Sequence, residues 1–165
     1  MVKIRRAAPG DEEALSLLIL KFRQSLAELR GKPSDSNLAS AEAELNEHLQ
    51  ANYPIFVADA ENGALAGYLV CRVDQDVIWA ESLYVEPDFR RLGIGSHLYA
   101  EAEKLAASLG EEAPYNWVDP DNSVIIAFLQ KRGYTVLNLI ELRRPRRGEE
   151  FDHKIAVGLN EFDHY

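Results

Sequence analysis

YVEPDFRRLGIGSHLYAEAEKLAA, from Tyr84 to Ala107, joins two patterns through one short joint. It opens as a β-branched and aromatic strand and closes as a run of helical period, with Leu98, Ala102 and Leu105 on one face. Between them stand Pro87, the pair Arg90–Arg91, and Gly93-x-Gly95. The first N–H groups of a helix lack intrahelical acceptors and, with the helix dipole, attract anions. Glycines let that backbone approach a phosphate where a Cβ would block it. The joint therefore reads as a pyrophosphate cradle, with Arg90 and Arg91 supplying charge and Ser96 a hydroxyl. It is not a Walker loop, because no Lys-Ser/Thr pair follows the glycines. Nor is it a dinucleotide fingerprint, because the third glycine is missing. The plainer alternative is a tight strand-to-helix turn with surface arginines.

Upstream, VKIRRA reads as a first strand broken by Pro9 and Gly10. Leu15, Leu18, Phe22, Leu26 and Leu29 then mark a helix that Gly31 and Pro33 close. After the KPSDSN loop a second helix carries Leu38, Ala41, Leu45 and Leu49 on one side. PIFVADA, ALAGYLVCRV and VIWAESLYVEP are strands separated by the turns ENG and DQD, which predicts an antiparallel meander. Downstream of the quoted helix, APYNWV is a short strand. Asp121 or Asn122 caps a helix with Ile125, Phe128 and Leu129, and YTVLNLIEL and HKIAVGL form a last strand pair around the loop RRPRRGEE. The order is β-α-α-β-β-β-α-β-α-β-β. The helix between Tyr84 and Val118 crosses over between parallel strands, so the sheet is mixed and the class α/β.

The length of 165 residues suits a single domain, residues 1–165, with its own core. No apolar run reaches membrane-spanning length and no signal-peptide pattern opens the chain, so a cytoplasmic protein without membrane contact is expected. The net charge of -9 argues against nonspecific nucleic-acid binding and tilts toward cationic partners. A single cysteine, Cys71, excludes an internal disulfide; in an alternating strand it reads as a small buried hydrophobe. His48, His97, His153 and His164 lie far apart without zinc-ligand spacing, so no metal is expected.

Val85, Pro87, Arg90, Gly93 and Gly95, as V-x-P-x-x-R-x-x-G-x-G, resemble the coenzyme A signature of the GCN5-related N-acetyltransferases. DNSVIIAFLQKRGY, with Lys131, Gly133 and Tyr134, resembles that family's Asn-led segment, about 30 residues on. The element order agrees over nearly the whole chain. The resemblance implies a single acyltransferase domain with acetyl-CoA as co-substrate and no metal. It assigns the pyrophosphate to the amides of Arg91, Leu92, Gly93, Ile94, Gly95 and Ser96. The pantetheine arm goes to Leu83, Tyr84 and Val85, with Asn122 opposite, and the Leu83 N–H becomes the oxyanion donor. Asn122 also reads as a plain helix N-cap.

Two positions depart from the family pattern. Arg91 stands where glycine is common. Leu129 stands where a tyrosine often protonates the leaving thiolate. Three readings stay open: the thiol leaves unaided, given a pKa near 8.5; Tyr115 or Tyr84 serves; or catalysis is lost. Glu81 is the candidate base, two and four residues before Leu83 and Val85 and so expected on their face. Its alternative is a structural carboxylate paired with an arginine. The leading function is acyl transfer to an amine, of a small molecule or a peptide, by direct attack in a ternary complex. The rivals are a non-catalytic acyl-CoA-binding module and a partner-binding protein using the arginine loop at Arg143–Arg147. The family also leaves a homodimer open.

Overall fold

The computed structural model describes residues 2–60 and 64–165. The chain divides into two compact units: Met1–Ala27 with Pro33–Trp117, and Glu28–Lys32 with Val118–Tyr165. The expected ENG turn, residues 61–63, lies outside the described residues.

The first unit is built on a five-stranded sheet in the order β1 to β5. Its strands are β1 (Lys3–Arg6), β2 (Ile55–Asp59), β3 (Leu65–Asp74), β4 (Val77–Val85) and β5 (Tyr115–Asn116). The first four pair antiparallel, and β4 pairs with β5 in parallel. This is the mixed sheet that the crossover predicts. β3 and β4 read as nearly continuous apolar runs because both faces are covered. On one face α1 (Glu12–Leu29) and α2 (Leu38–Gln50) pack Leu15, Leu18, Ile19, Ala41 and Leu45 against Val57, Tyr68, Val70 and Tyr84. On the other, α3 (Ile94–Ser108) packs Ile94, Leu98, Ala102 and Ala106 against Phe56, Leu69, Cys71 and Ile78. Cys71 sits in that second layer, and burial pushes its thiol up to about 12.

The stripe on α2 differs from expectation. Ala41, Leu45 and His48 are buried, while Leu38 and Leu49 are exposed. The capping box of Asn37 and Ser40 sets the start of this helix, and its packing through Ala41 and Leu45 selects the buried face.

The second unit holds α4 (Ser123–Lys131) and a hairpin of β6 (His153–Val157) and β7 (Asn160–His164). This corrects the expected last strand pair. Tyr134–Leu142 makes no ladder, and His153–Val157 pairs with the chain that follows it. The physical reason is loop closure: Val157 faces Asn160 across two residues, with Gly158 at φ 62°, so this hairpin closes locally. In the RRPRR loop, Arg143 is held by Glu149 through two bonds of 2.8 Å. Among the described residues, no helix is long and apolar enough to cross a membrane.

Candidate functional site

The hydrogen-bond phase of β4 decides what it can hold. The Glu86 N–H donates to the Ala66 carbonyl at 2.9 Å. Antiparallel strands alternate, so Ser82 and Tyr84 turn their backbone groups toward β3, and Leu83 and Val85 turn theirs to the opposite edge. The Val85 carbonyl agrees: it accepts from Arg90 Nε at 2.8 Å. On that edge β5 pairs only with Trp79 and Ala80. From Leu83 to Val85, among the described residues, the edge carries no strand. An extended chain with amide groups could pair there.

The edge runs into the joint. Pro87–Phe89 forms one 3-10 turn, Arg91 takes φ 65°, and Gly93 takes φ 81° as N-cap of α3. Gly93 offers no side-chain cap, whereas Asn37 caps α2 and Asn122 caps α4. The first amides of α3, at Ile94, Gly95 and Ser96, therefore stay available to an anion. The positive φ of Arg91 also explains why glycine is at home at that position. Its side chain is exposed. Arg90 is engaged differently from expectation: its guanidinium bonds Val85 O and lies 5.6 Å from the Tyr84 ring centre, clamping the loop to the strand.

Leu83, Val85 and Arg90 through Ser96 thus lie along one edge within the first unit, while Tyr84, expected with them, turns its backbone to β3. Asn122 lies in the second unit, where its side chain accepts from Ile125 N–H at 3.2 Å; it is the helix cap. Leu129 is buried at 6 % exposure. The Tyr84 side chain packs into the α1–α2 layer, where burial and then Glu86 push its hydroxyl pKa up. Tyr115 is exposed and tilted on Trp79, at 5.3 Å.

Glu81 does not share a face with Leu83 and Val85. Val70 pairs with Ser82 and Cys71 with Ala80, so Glu81 is an extra, bulged residue. The bulge reverses the alternation. Ile78 and Ala80 face α3, as do Leu83 and Val85 beyond it. Glu81 accepts from Arg72 Nε at 3.1 Å, and Arg72 lies over the Trp79 and Trp117 rings at 5.2 and 4.7 Å. Glu81 also acts at longer range on Arg23 of α1. It therefore belongs to the α1–α2 side, partly buried and paired with an arginine.

A second polar group lies in that same layer. Arg23 holds Glu44 with Nε at 2.8 Å and Nη2 at 2.6 Å. Burial works against the Glu44 charge, and His48 and Arg23 work for it. At 3.5 Å the His48 contact is the weaker geometry, so the Arg23 fork chiefly holds the carboxyl down, to about 2. Among the described residues, His48 Nε2, Tyr68 Oη and Ser82 Oγ are buried without a well-formed hydrogen bond.

A pH effect follows from that pair. The folded pKa of Glu44 lies below the ordinary 4.5. Its contribution is complete above about pH 4.5 and is lost as the pH falls toward 2. Arg23→Gln should destabilise the protein by roughly 2–3 kcal/mol at pH 7 and flatten the acid decline. Urea midpoints at pH 7, 4.5 and 3 check this; parallel curves for the two proteins would refute it.

The arginine partner weighed for Glu81 in the sequence is Arg72, which the sequence does not single out, and the Arg23–Glu44–His48 group was not foreseen. Glu44 and His48 carry a readable i,i+4 spacing. Arg72 becomes visible only when the bulge turns Glu81 toward it.

Comparison with known proteins agrees with this architecture. The family model described as Acetyltransferase (GNAT) family matches residues 22–134. A curated relative from Bacillus subtilis (strain 168), the putative phosphinothricin acetyltransferase YwnH, is 26% identical over 107 residues. That match spans 62% of this chain and 66% of the relative. The solved structure of AAC(6')-Iy with a CoA bisubstrate analogue has a TM-score of 0.67 at 21% identity, covering 88% of this chain and 99% of its own. The PaiA N-acetyltransferase of Thermoplasma acidophilum, with coenzyme A, has a TM-score of 0.67 at 22% identity, covering 80% and 88%. With the open edge of β4 leading into an uncapped, glycine-lined helix start, and a family model matching well over half of its length, the chain belongs to the GNAT acetyltransferase family, whose enzymes use acetyl-CoA as co-substrate.

Proposed function

We propose that this protein is an acetyl-CoA-dependent N-acetyltransferase acting on a cationic amine. The observation that carries the reading is the pairing of two open amide stretches, the β4 edge at Leu83 and Val85 and the uncapped start of α3. The pantetheine arm pairs with the open edge at Leu83 and Val85, and the pyrophosphate rests on the amides of Arg91 through Ser96. The Leu83 N–H, on the same edge, donates to the thioester oxygen as it becomes an oxyanion. The amine nitrogen attacks the carbonyl carbon, the C–S bond breaks, and the thiolate leaves as the anion. A thiol with an ordinary pKa of about 8.5 needs no strong acid to depart. The buried Leu129 supplies none.

The acceptor enters from the α1–α2 side of β4. Glu81 and Glu44 supply negative charge there, and Tyr68 Oη and Ser82 Oγ supply polar atoms. The ammonium first gives one proton to solvent, and the neutral amine attacks; Glu81, held by Arg72, takes the second proton, which the nitrogen loses on acylation, through a water molecule. AAC(6')-Iy is named an aminoglycoside N-acetyltransferase and YwnH a putative phosphinothricin acetyltransferase. An acceptor screen therefore starts with polyamines, aminoglycosides, phosphinothricin and lysine peptides.

The test is thiol release from acetyl-CoA with each amine. Glu81→Gln is expected to lower kcat/KM on the order of 100–10,000-fold, the range for a general base, with acetyl-CoA affinity unchanged. If acetyl-CoA binds and no amine releases thiol, the acyl-CoA-binding module becomes the better account. An unchanged rate in Glu81→Gln would return Glu81 to a structural role.

A further inference from the structure

We propose that the second unit carries a binding site for one divalent transition-metal ion of the zinc type, formed by Asp119, Asp121 and His164, with His153 beside Asp121 as a further imidazole. It lies outside the acyl-transfer track, and the reading of that track does not depend on it.

The hairpin brings together two histidines that lie 11 residues apart in sequence. His153 and His164 are direct cross-strand partners, and their rings stand edge to face at 5.4 Å. Both point their Nε2 atoms at the turn that leads into α4. His164 Nε2 is 3.4 Å from Asp119 Oδ1 and 3.4 Å from Asp121 Oδ2. His153 Nε2 is 3.3 Å from Asp121 Oδ1. One donor atom each of Asp119, Asp121 and His164 fits within a mutual distance of 4.8 Å.

These separations decide between two kinds of contact. A charge-assisted imidazole–carboxylate hydrogen bond closes to about 2.7–2.9 Å. Ligand atoms at roughly 2.0–2.1 Å from a tetrahedral zinc ion stand about 3.3–3.4 Å from one another. The contacts across the cluster have the second spacing. The contacts behind it have the first. His153 Nδ1 lies 2.7 Å from Asp152 Oδ1, which sets the tautomer that leaves Nε2 free to ligate. Arg30 Nε donates to Asp119 Oδ2 at 2.8 Å, which turns Oδ1 inward. Asp119 is held in place, its side chain only 6 % exposed. Carboxylates and imidazoles together suit zinc, cobalt or nickel; calcium and magnesium take oxygen ligands only.

Such an ion would tie the β6–β7 hairpin to the Asp119–Asp121 turn, immediately before the Asn122 cap of α4. Its role is structural, and the transfer chemistry needs no metal.

Protein stripped with chelator, then titrated calorimetrically with Zn²⁺, is expected to bind one ion per chain at micromolar strength or tighter. Bound Co²⁺ should show the intense visible bands of four-coordinate cobalt. His164→Gln and Asp121→Asn should each weaken Zn²⁺ at least 30-fold, while His97→Gln, an exposed histidine in the first unit, leaves it unchanged. Metal-free melting curves establish that the variants fold, and Zn²⁺ should raise the wild-type Tm but not that of His164→Gln. Absent or millimolar binding, octahedral cobalt, or affinity unchanged in both variants overturns the site. The four residues would then form only an ion-pair clasp.

Discussion

Gly93→Trp is expected to abolish acetyl-CoA binding, weakening it more than 100-fold in a calorimetric titration. Two effects combine. Gly93 sits at φ 81°, a conformation that L side chains rarely adopt, so any substitution there strains the loop by about 1–2 kcal/mol. A Cβ at this position also points at the His97 ring, 3.5 Å from its Cε1. An indole must then turn over the start of α3, where it covers the amides of Ile94, Gly95 and Ser96. Gly93→Ala separates the two effects: it carries the strain without the bulk, and should lose stability while holding affinity within about tenfold. Wild-type affinity in Gly93→Trp would show that the pyrophosphate does not rest on this joint. Loss of thiol release without loss of binding would place the damage in the chemistry instead.

The largest effect on stability is expected from Gly67→Ala. A Cβ on Gly67 would stand 2.6 Å from the Tyr84 carbonyl oxygen and 3.1 Å from Val85 Cα. Both are backbone atoms of the neighbouring strand, so no side chain can swing away. The β3–β4 ladder must open where Gly67 faces Val85, beside the Glu86–Ala66 bond. Overpacking of this kind costs about 3 kcal/mol or more. Urea denaturation measures the loss. Because the displaced strand carries Leu83 and Val85 on its other edge, acetyl-CoA affinity should fall with it. A loss under about 1 kcal/mol would mean that the two strands separate at little cost.

Much of the fold was legible because its signals are local. The meander follows from alternating strands and the DQD turn, whose two-residue tip is Gln75 and Asp76. The joint follows from Gly93 and Gly95 beside a helical period, and Asn122 reads as a cap from its place before Ser123. Each needs only neighbouring residues. The failures have a common origin in long-range competition. YTVLNLIEL has the composition of a strand, but a ladder needs a partner, and HKIAV finds a nearer one across Gly158–Leu159. Leu38 and Leu49 fit a helical stripe, yet α2 packs through Ala41 and Leu45 and buries His48 instead.

By itself, then, the sequence determined the element order as far as α4, the mixed sheet, the glycine-bearing strand-to-helix joint and the family resemblance. Backbone conformation at glycines and periodicity on helices and strands are properties of short segments. Tertiary structure alone decided where the polar side chains meet. Alternation from Glu81 to Leu83 and Val85 predicts a shared face, and one inserted residue in β4 overturns it, delivering Glu81 to Arg72. Spacing sets His153 and His164 apart, and strand pairing places them opposite each other against Asp119 and Asp121. Register is a relation between strands, and a one-residue change in it exchanges the faces of every side chain beyond.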